Sequence, residues 1–359
     1  MSLYRTYRPK TFAELAGQEP IKQTLKNEIA LGKTVHAYLF SGPRAVGKTS
    51  TARIFVRAVN CLKRIEGESE PCNKCAACTA LLEGRSLDVL EIDAASHTGV
   101  DNVRDNIIVA ARVANSSLKV KAFIIDEVHM LSTAAFNALL KLLEEPPGSV
   151  VFILATTELH KVPATIISRC QRFDFKKIPA VEMKKRLKKL CKLEKREVDE
   201  EVVDEIIRLS DGCLRDAESL LGQLLTLDGE RITASDAAIF LPRSNRELVK
   251  KLMATILVKD VSAGVAIVDQ LIEEGVDLTA FTNDCIEYCR WMLLAQSGTQ
   301  PPDSLPQADR ESIKTATEKL SPAQILILIE HLVSALREAR FANIKQLPLE
   351  MALVRASFL

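Results

Sequence analysis

The sequence has no surplus of charge of either sign and no long apolar run. Its 48 Lys and Arg nearly balance 47 Asp and Glu, which leaves a formal net charge of +1. Because no global field then attracts nucleic acid, any DNA contact must come from a local patch. No stretch approaches the roughly 20 uncharged apolar residues that a membrane span needs. The basic start MSLYRTYRPK lacks the apolar segment of a signal peptide, so we expect a cytosolic protein without membrane contact.

Repeats and low-complexity tracts are also missing, which favours ordinary folded domains. The 359 residues are enough for two or three domains, each with its own core. Hydrophobic residues make up 47% and charged residues 26% of the chain, as in a typical globular protein.

Cysteine, in contrast, is abundant: there are nine, and four of them cluster as C-x10-C-x2-C-x2-C at Cys61, Cys72, Cys75 and Cys78. In a reducing compartment such a cluster indicates a metal rather than disulfides. Tetrahedral zinc with four thiolates suits these spacings and leaves no open position, so we predict a structural zinc site. The scattered cysteines are predicted to be small buried hydrophobes; they are Cys170, Cys191, Cys213, Cys285 and Cys289.

The first half of the chain alternates predicted strands with amphipathic helices. The predicted strands, several without a polar face, are 37–40, 88–92, 121–126, 150–157 and 170–175. The helices between them are predicted at 48–60, 99–113 and 132–147. Apolar strands of this kind suit a parallel sheet covered by helices on both faces. We therefore expect a doubly wound α/β domain over residues 1–177, with the zinc module at 61–78.

Beyond residue 178 the pattern predicts helices and no further strands. Three short amphipathic helices are predicted at 180–196, 199–212 and 213–227, and they define a small helical domain over 178–241. The sequence LPRSN at 241–245 is predicted to be a hinge, followed by an all-helical domain over 242–359. One of its helices begins with a Ser321 cap and Pro322 at the first helical position.

The segment GPRAVGKTS fits the phosphate-loop pattern G-x-x-x-x-G-K-[ST] and lies between a strand and a helix. Glycines at 42 and 47 let backbone N–H groups turn towards a phosphate at the helix N-terminus. Lys48 would reach the β- and γ-phosphates, and the Thr49 hydroxyl would ligate Mg²⁺. The predicted nucleotide contacts here are Gly42, Pro43, Arg44, Ala45, Val46, Gly47, Lys48, Thr49 and Ser50.

Two adjacent carboxylates follow another apolar strand in FIIDEVH. Asp126 is predicted to hold Mg²⁺, and Glu127 to polarise an attacking water. Together with the phosphate loop they form the two halves of a nucleotide hydrolase site. Thr157, at the end of the next strand, would lie between the two motifs and contact the γ-phosphate or the water.

Arg169, in TIISRCQRF, has no obvious partner beside it in sequence. Its planar guanidinium suits phosphate oxygens. The residues alone leave three roles open: a contact with the chain's own nucleotide, a contact with a neighbouring subunit's nucleotide, or a surface salt bridge.

The motifs YRPKTFAELAGQE, HAYLFSGPRAVGKTS, DEVHML, LLEEPP, LATTE and SRC, in this order, resemble those of AAA+ clamp loaders. The cysteine insertion after the phosphate-loop helix, with EIDAASHTGVDNVRD, is similar to the gamma/tau ATPase subunits of bacterial DNA polymerase III. The resemblance covers essentially the whole chain. It implies an ATP-driven motor subunit of the polymerase holoenzyme that opens a sliding clamp and loads it onto primer–template DNA. The implied partners are delta, delta-prime and further gamma/tau copies in a ring-like pentamer.

The resemblance also implies roles for single residues. Arg169 would act in trans on the adjacent subunit's nucleotide, and Arg215 in GCLRDAESL would be a second phosphate sensor, unless it only pairs with Asp211 or Glu218. Tyr7, Arg8 and Pro9 would form the adenine-side loop, the small helical domain would be a lid, and the C-terminal helices a collar. Ala45 departs from the pattern, because the family often has glycine there.

Two other functions are compatible with parts of this pattern. A non-hydrolysing structural subunit of the same machine would lack Lys48 or the Asp126–Glu127 pair, and this chain has all three. A translocating helicase of related fold would not be expected to carry the cysteine module. An ATPase assay with clamp and duplex junctions separates these functions.

Overall fold

A computed structural model describes residues 2–96, 104–227, 229–237, 240, 246–299, 307–339 and 341–358. The chain forms two compact units, Met1–Ala237 and Ala238–Leu359. The predicted boundary at residue 177 lies inside the first unit and stays a prediction, as does the boundary at 241. The predicted hinge at 241–245 lies outside the described residues.

The first unit is built on a parallel sheet of five strands. They are β1 (Ala37–Ser41), β2 (Val89–Asp93), β3 (Lys121–Asp126), β4 (Val150–Thr156) and β5 (Gln171–Asp174). Their spatial order is β2-β3-β4-β1-β5, and every neighbouring pair is parallel. The predicted parallel α/β architecture is therefore confirmed. Because β4 lies between β1 and β3, the carboxyl ends of these three strands meet at one edge of the sheet.

Both faces of this sheet are buried, which explains why its strands lack a polar face. Phe123 and Phe152 pack on one face, in the same cluster as Leu139. Phe40 and Ile153 pack on the opposite face. The first face is covered by α6 (Thr133–Glu144), and the second by α2 (Glu19–Leu31) and α3 (Lys48–Val59). Helices on both sides bury all of β1 and β4 and all of β3 except its last residue, Asp126, whereas the edge strands β2 and β5 keep some exposed residues.

Shorter helices complete the α/β part of the first unit. They are α1 (Leu3–Thr6), α4 (Ala76–Leu82), α5 (Ala110–Arg112) and α7 (Ala164–Ile167). A π-helical turn, Arg104–Val109, leads directly into α5. The helix predicted over 99–113 is therefore present from 104, and its predicted first residues, 99–103, lie outside the described residues. Single 3₁₀ turns occur at Phe12–Glu14, Val128–Met130 and Leu159–Lys161.

Four helices follow the sheet in the first unit: α8 (Ala180–Leu193), α9 (Glu200–Ser210), α10 (Leu214–Leu224) and α11 (Ala234–Ala237). The prediction that no strand follows residue 178 is wrong. Two-residue strands, β6 (Glu197–Val198) and β7 (Arg231–Ile232), pair in parallel between these helices. A strand is recognised in sequence by apolar and polar residues alternating over at least four positions, so a two-residue strand cannot be predicted this way.

The described residues of the second unit form helices and short connections, with no strand among them. Its helices are α12 (Arg246–Leu257), α13 (Val261–Glu273), α14 (Leu278–Gln296), α15 (Gln307–Thr317), α16 (Pro322–Glu338) and α17 (Leu347–Ala356). The predicted start of α16 is confirmed, because the Ser321 hydroxyl and the Gln324 side chain form a capping box. Leu252, Phe281 and Leu332 are fully buried in the core of this unit.

No helix within the described ranges is, by itself, long and apolar enough to cross a membrane. Arg310–Thr317 and Pro322–Glu338 meet that requirement only as a pair, and they are bent by 114° relative to each other.

The scattered cysteines are not all fully buried. Cys191, Cys285 and Cys289 are buried as predicted, whereas Cys170 and Cys213 are half-buried. Burial nevertheless raises the pKa of Cys170 to about 12, so its thiol is neutral at pH 7.

Candidate functional site

The phosphate loop turns tightly between β1 and α3. Gly42 has a φ of +140°, and a Cβ placed on it would lie 2.3 Å from the carbonyl oxygen of Phe175. Gly47 has a φ of +105°. Both positions therefore require glycine. Ala45 also adopts a left-handed φ of +58°, a conformation that costs an L-residue about 1–2 kcal/mol.

Lys48 is the first residue of α3, and only 6% of it is exposed. Its Nζ donates to the carbonyl oxygens of Gly42 and Pro43, both at 2.7 Å. Burial lowers the pKa of Lys48, while the nearby carboxylates of Glu127 and Asp126 oppose that shift. The loop thus holds this cation by neutral carbonyls, and no carboxylate hydrogen-bonds to it among the described residues.

The two predicted magnesium ligands are adjacent in space although 77 positions apart in the chain. The Thr49 hydroxyl donates to Oδ2 of Asp126 at 2.6 Å. The strand order β3-β4-β1 explains this proximity, since both residues lie at the same end of the parallel sheet. A hydroxyl and a carboxylate are oxygen ligands that Mg²⁺ accepts, so this pair fits the metal.

Glu127 follows Asp126 in a left-handed conformation, with a φ of +47°. Its Oε2 accepts from the Thr157 backbone N–H at 3.2 Å and from the Thr157 hydroxyl at 2.9 Å. The His129 Nδ1 lies 3.4 Å from the same oxygen and 3.0 Å from the Thr156 hydroxyl. Sequence reasoning assigned no role to His129, although its position two residues after Glu127 was a usable signal.

Lys48, Thr49, Asp126 and Glu127 face a cleft between the sheet and the helices that follow it. Its lining includes most of the predicted nucleotide contacts: Arg8, Pro9, Arg44, Ala45, Val46, Gly47, Lys48, Thr49, Ser50, Asp126, Glu127 and Arg215. Residues without a predicted role also line it, namely Tyr4, Leu15, Ala16, Ile178, Leu214 and Glu218. Five residues with a predicted role are absent from the described part of the lining: Tyr7, Gly42, Pro43, Thr157 and Arg169.

Arg215 reaches the cleft from the first turn of α10, and its guanidinium carbon lies 5.7 Å from the centre of the Tyr4 ring. This distance is within the range of a cation–π contact. Both acids considered as its partners pair elsewhere: Asp211 with Lys177 and Glu218 with Arg186. The ion-pair alternative for Arg215 therefore has no support among the described contacts.

Tyr7 is held through its backbone and does not line the cleft. Its carbonyl oxygen accepts from Arg186 Nη2 at 2.5 Å, and Arg186 Nε donates to Glu218 at 2.8 Å. Both side chains of this ion pair are buried. Burial raises the pKa of Glu218, and Arg186 opposes the shift. The pair ties α8 and α10 to the N-terminal segment.

Arg169 lies after α7 and is bonded within its own neighbourhood. Its Nη2 is 2.7 Å from Oε1 of Glu144, and its Nη1 donates to the Thr165 carbonyl at 2.8 Å. About a third of its side chain is exposed. In the single chain, the salt-bridge alternative is thus the arrangement observed, and a contact in trans stays a prediction.

The four clustered cysteines form a compact centre next to α4. All four Sγ atoms lie within 4.8 Å of one another, and Cys61, Cys75 and Cys78 are buried. Tetrahedral zinc with Zn–S bonds of about 2.3 Å requires S···S distances of about 3.8 Å, which small movements would give. Cys72 Sγ accepts from the backbone N–H groups of Lys74 and Cys75 at 3.5 and 3.3 Å. Burial alone would raise the pKa of Cys75, but the backbone N–H donors of Cys78 and Leu62 outweigh burial and lower this pKa to about 6. The donor set therefore fits zinc.

Comparison with known proteins matches both units to subunits of one enzyme. A family model described as the delta subunit of DNA polymerase III matches residues 17–179. A second, described as domain III of the gamma and tau subunits of DNA polymerase III, matches residues 232–359.

Individual relatives match almost the whole chain. DNA polymerase III subunit tau of Bacillus subtilis is 42% identical over 99% of this chain and 62% of its own length. DNA polymerase III subunit gamma/tau of Mycobacterium tuberculosis is 36% identical over the same shares. A solved structure of the Bacillus subtilis clamp loader delta protein covers 94% of this chain and 99% of its own, at 15% identity and a TM-score of 0.42. The chain thus spans about 62% of the length of these two curated relatives. With family models and relatives agreeing along its length, the chain belongs to the gamma/tau family of DNA polymerase III subunits.

Proposed function

We propose that the chain is an ATP-driven motor subunit of the DNA polymerase III clamp loader, which opens a sliding clamp and loads it onto primer–template DNA. The observation that carries the proposal is the convergence of Lys48, the Thr49–Asp126 pair and Glu127 in one cleft. The family of the chain and the names of its relatives support the replication context.

ATP would lie with its phosphates against the phosphate loop. The backbone N–H groups of residues 44–47 would surround the β-phosphate, and Lys48 would leave the Gly42 and Pro43 carbonyls to neutralise the β- and γ-phosphates. Thr49 and Asp126 would hold Mg²⁺, which neutralises phosphate charge when bound. Arg8 and Pro9 line the same cleft and are suited to the adenine side.

Hydrolysis would depend on Glu127, which would take a proton from the attacking water. Its carboxylate accepts from Thr157 in this structure, so the same threonine can orient the base or meet the γ-phosphate. Arg215 would add positive charge near the phosphates from α10, and the helical segment that carries it would act as the lid. Its contact with Tyr4 connects this lid to the N-terminal segment.

Arg169 would complete the site of a neighbouring subunit. Its position outside the described lining of its own cleft supports this role, and its salt bridge with Glu144 would have to open first. An exposed ion pair of this kind stabilises by only about 0–1 kcal/mol, so opening it costs little. The neighbours would be delta, delta-prime and further gamma/tau copies in a ring-like pentamer.

The second unit would form the collar between subunits. The last helix, α17, and the residues after it carry a row of exposed apolar side chains at spacings of four, three and four: Leu347, Met351, Val354 and Phe358. Such spacing places them on one side of a helix. An apolar row left exposed in the single chain is typical of a protein contact.

The cysteine centre would hold one structural zinc ion. Its compact, mostly buried thiols support a closed site, and no water position is required for chemistry.

The deciding experiment compares ATP turnover by the chain alone with turnover by the complete loader, with clamp and primed DNA present. A motor subunit hydrolyses ATP slowly alone and faster in the assembly. ATP binding without any turnover would indicate a structural subunit instead. Stimulation by duplex junctions without a clamp would indicate a translocating helicase.

A further inference from the structure

The segment that leads to the cleft from the N-terminus also contacts the cysteine module. Residues 8–13, here called the strap, begin at Arg8 and Pro9, which line the cleft. The strap continues to Phe12, which is completely buried against the sheet. Its backbone is bonded to two residues of the cysteine module, Glu70 and Asn73.

Glu70 holds the end of the strap. This residue precedes Cys72 by two positions, and its carboxylate accepts from the backbone N–H groups of Phe12 at 2.8 Å and Ala13 at 3.2 Å. The same carboxylate pairs with Lys26 of α2 at 2.8 Å. The two N–H groups open a 3₁₀ turn, so they have no partners within that turn.

Asn73 holds the middle of the strap. The Lys10 carbonyl oxygen accepts from Asn73 Nδ2 at 3.2 Å and from Arg57 Nη2 at 2.8 Å. Asn73 directly follows Cys72 and has a left-handed φ of +57°. Asn73 thus lies in the turn between Cys72 and Cys75, whose thiols both belong to the cluster.

The position of the module in the chain makes this contact possible. Helix α3 begins with Lys48 at the phosphate loop, and its twelve residues carry the chain about 18 Å away before Cys61. The strap leaves the cleft after Pro9, and its Lys10 carbonyl accepts from Arg57 in the last turn of α3, close to Cys61. One end of the nucleotide cleft is thus fastened to a centre that is distant from the phosphates.

We propose that the cysteine module, through Glu70 and Asn73, anchors the strap at the nucleotide cleft. Metal at the cysteines and ATP in the cleft then favour each other, because both require the same strap conformation. The inference rests on the proposed ATP-binding function. Coupling between two binding sites is reciprocal in their binding free energies, so ATP must raise the affinity for the metal by the same factor as the metal raises the affinity for ATP.

The first test uses the zinc-loaded full chain with Glu70→Gln and Asn73→Gly. Glycine keeps the left-handed conformation at 73 and removes only the amide. The matched control is Glu66→Gln, an exposed glutamate of the same segment. Backbone hydrogen exchange at Phe12 and Ala13 is expected to accelerate about tenfold or more in Glu70→Gln, and not in the control.

ATP–Mg²⁺ affinity, measured by calorimetry, is expected to fall several-fold in Glu70→Gln and in Asn73→Gly and to stay unchanged in the control. At equilibrium with a chromogenic chelator, the wild type should retain more zinc with ATP present than without it. Wild-type ATP affinity in both variants, with unchanged exchange at Phe12 and Ala13, would contradict the proposed anchoring of the strap. If the wild type itself binds no ATP, the proposed function fails, and exchange at the strap with and without zinc still decides whether the module holds it.

Discussion

The hydroxyl of Thr157 donates to the Glu127 carboxylate at 2.9 Å, so a residue at the end of β4 holds the acid that follows β3. Replacing Thr157 with valine removes this donor at nearly constant volume. We expect ATP affinity to persist and turnover by the assembled loader to fall about tenfold to a hundredfold, in the range of general-base effects. Thr157→Ser retains the hydroxyl and should retain most activity. Equal turnover by both variants would mean that the hydroxyl does not orient Glu127.

Lys48→Ala is expected to abolish ATP-dependent clamp loading while the fold persists. Within the part of the chain that the structure describes, the ammonium donates to the Gly42 and Pro43 carbonyls and to no carboxylate, so its loss breaks no ion pair there. Turnover should fall about a hundredfold or more, as expected for the loss of a group that stabilises transition-state charge. Circular dichroism and thermal unfolding provide the folding control. Normal turnover in a folded Lys48→Ala variant would refute the assignment of the phosphate loop.

Arg169→Ala should preserve ATP binding by the isolated chain and reduce hydrolysis by the assembled loader. Trans arginines in other nucleotide hydrolases contribute ~10³–10⁵ in rate. Arg169→Lys should rescue little, because a point charge lacks the planar fork. Glu144→Gln, which removes the partner of Arg169 in the single chain, serves as the control and should keep its activity.

Mixing variants distinguishes the trans arrangement from the cis one. Loaders assembled from Lys48→Ala chains and Arg169→Ala chains contain some interfaces at which both residues are intact. Partial recovery of turnover is the result expected in trans. A mixture no more active than its components would place Arg169 on its own nucleotide.

Elemental analysis is expected to find about one zinc per chain, held by the four clustered thiolates. Cys75→Ser should remove the metal and lower the free energy of unfolding by an amount on the order of several kcal/mol. Cys213→Ser, a half-buried cysteine outside the cluster, is the matched control. A metal-free wild type of unchanged stability would contradict the zinc site.

Asp88 is expected to make stability depend on acid pH. Its buried carboxylate accepts from the N–H groups of Ser116 and Ser117, both at 2.7 Å, and from Leu118 at 2.9 Å. Burial opposes the shift, but these donors hold the pKa of Asp88 below its usual range. Its stabilisation is therefore complete above the unfolded pKa of about 3.9 and is lost as the pH falls through the lower folded value.

Asp88→Asn should accordingly cost about 1–3 kcal/mol at pH 7. Urea unfolding of the two proteins should show this difference shrinking as the pH falls below 4, the region set by the carboxyl pKa. Asp269→Asn, an exposed aspartate of the second unit, is the control and should change stability little at either pH. A difference that grows towards acid pH would contradict the role of the carboxylate.

The features that depend on neighbouring residues were predictable from sequence alone. The phosphate loop, the apolar strands, the spacing of the four cysteines and the Ser321 cap are all local patterns. The interactions behind these patterns join residues that are close in the chain, through φ preferences, periodic burial and short ligand spacings. The parallel α/β architecture followed from the same patterns, because strands without a polar face must be covered on both sides.

Which distant residues meet was not predictable from the sequence and is seen in the folded chain. The strand order brought Thr49 to Asp126, 77 residues away, and the packing of α8 on α10 buried Arg186 against Glu218. Tyr4 entered the cleft although Tyr7 was expected there. Glu70 reached Phe12 across 58 residues through the turn of the cysteine module. Such contacts depend on topology and on which buried polar group finds a partner, and local sequence patterns carry neither.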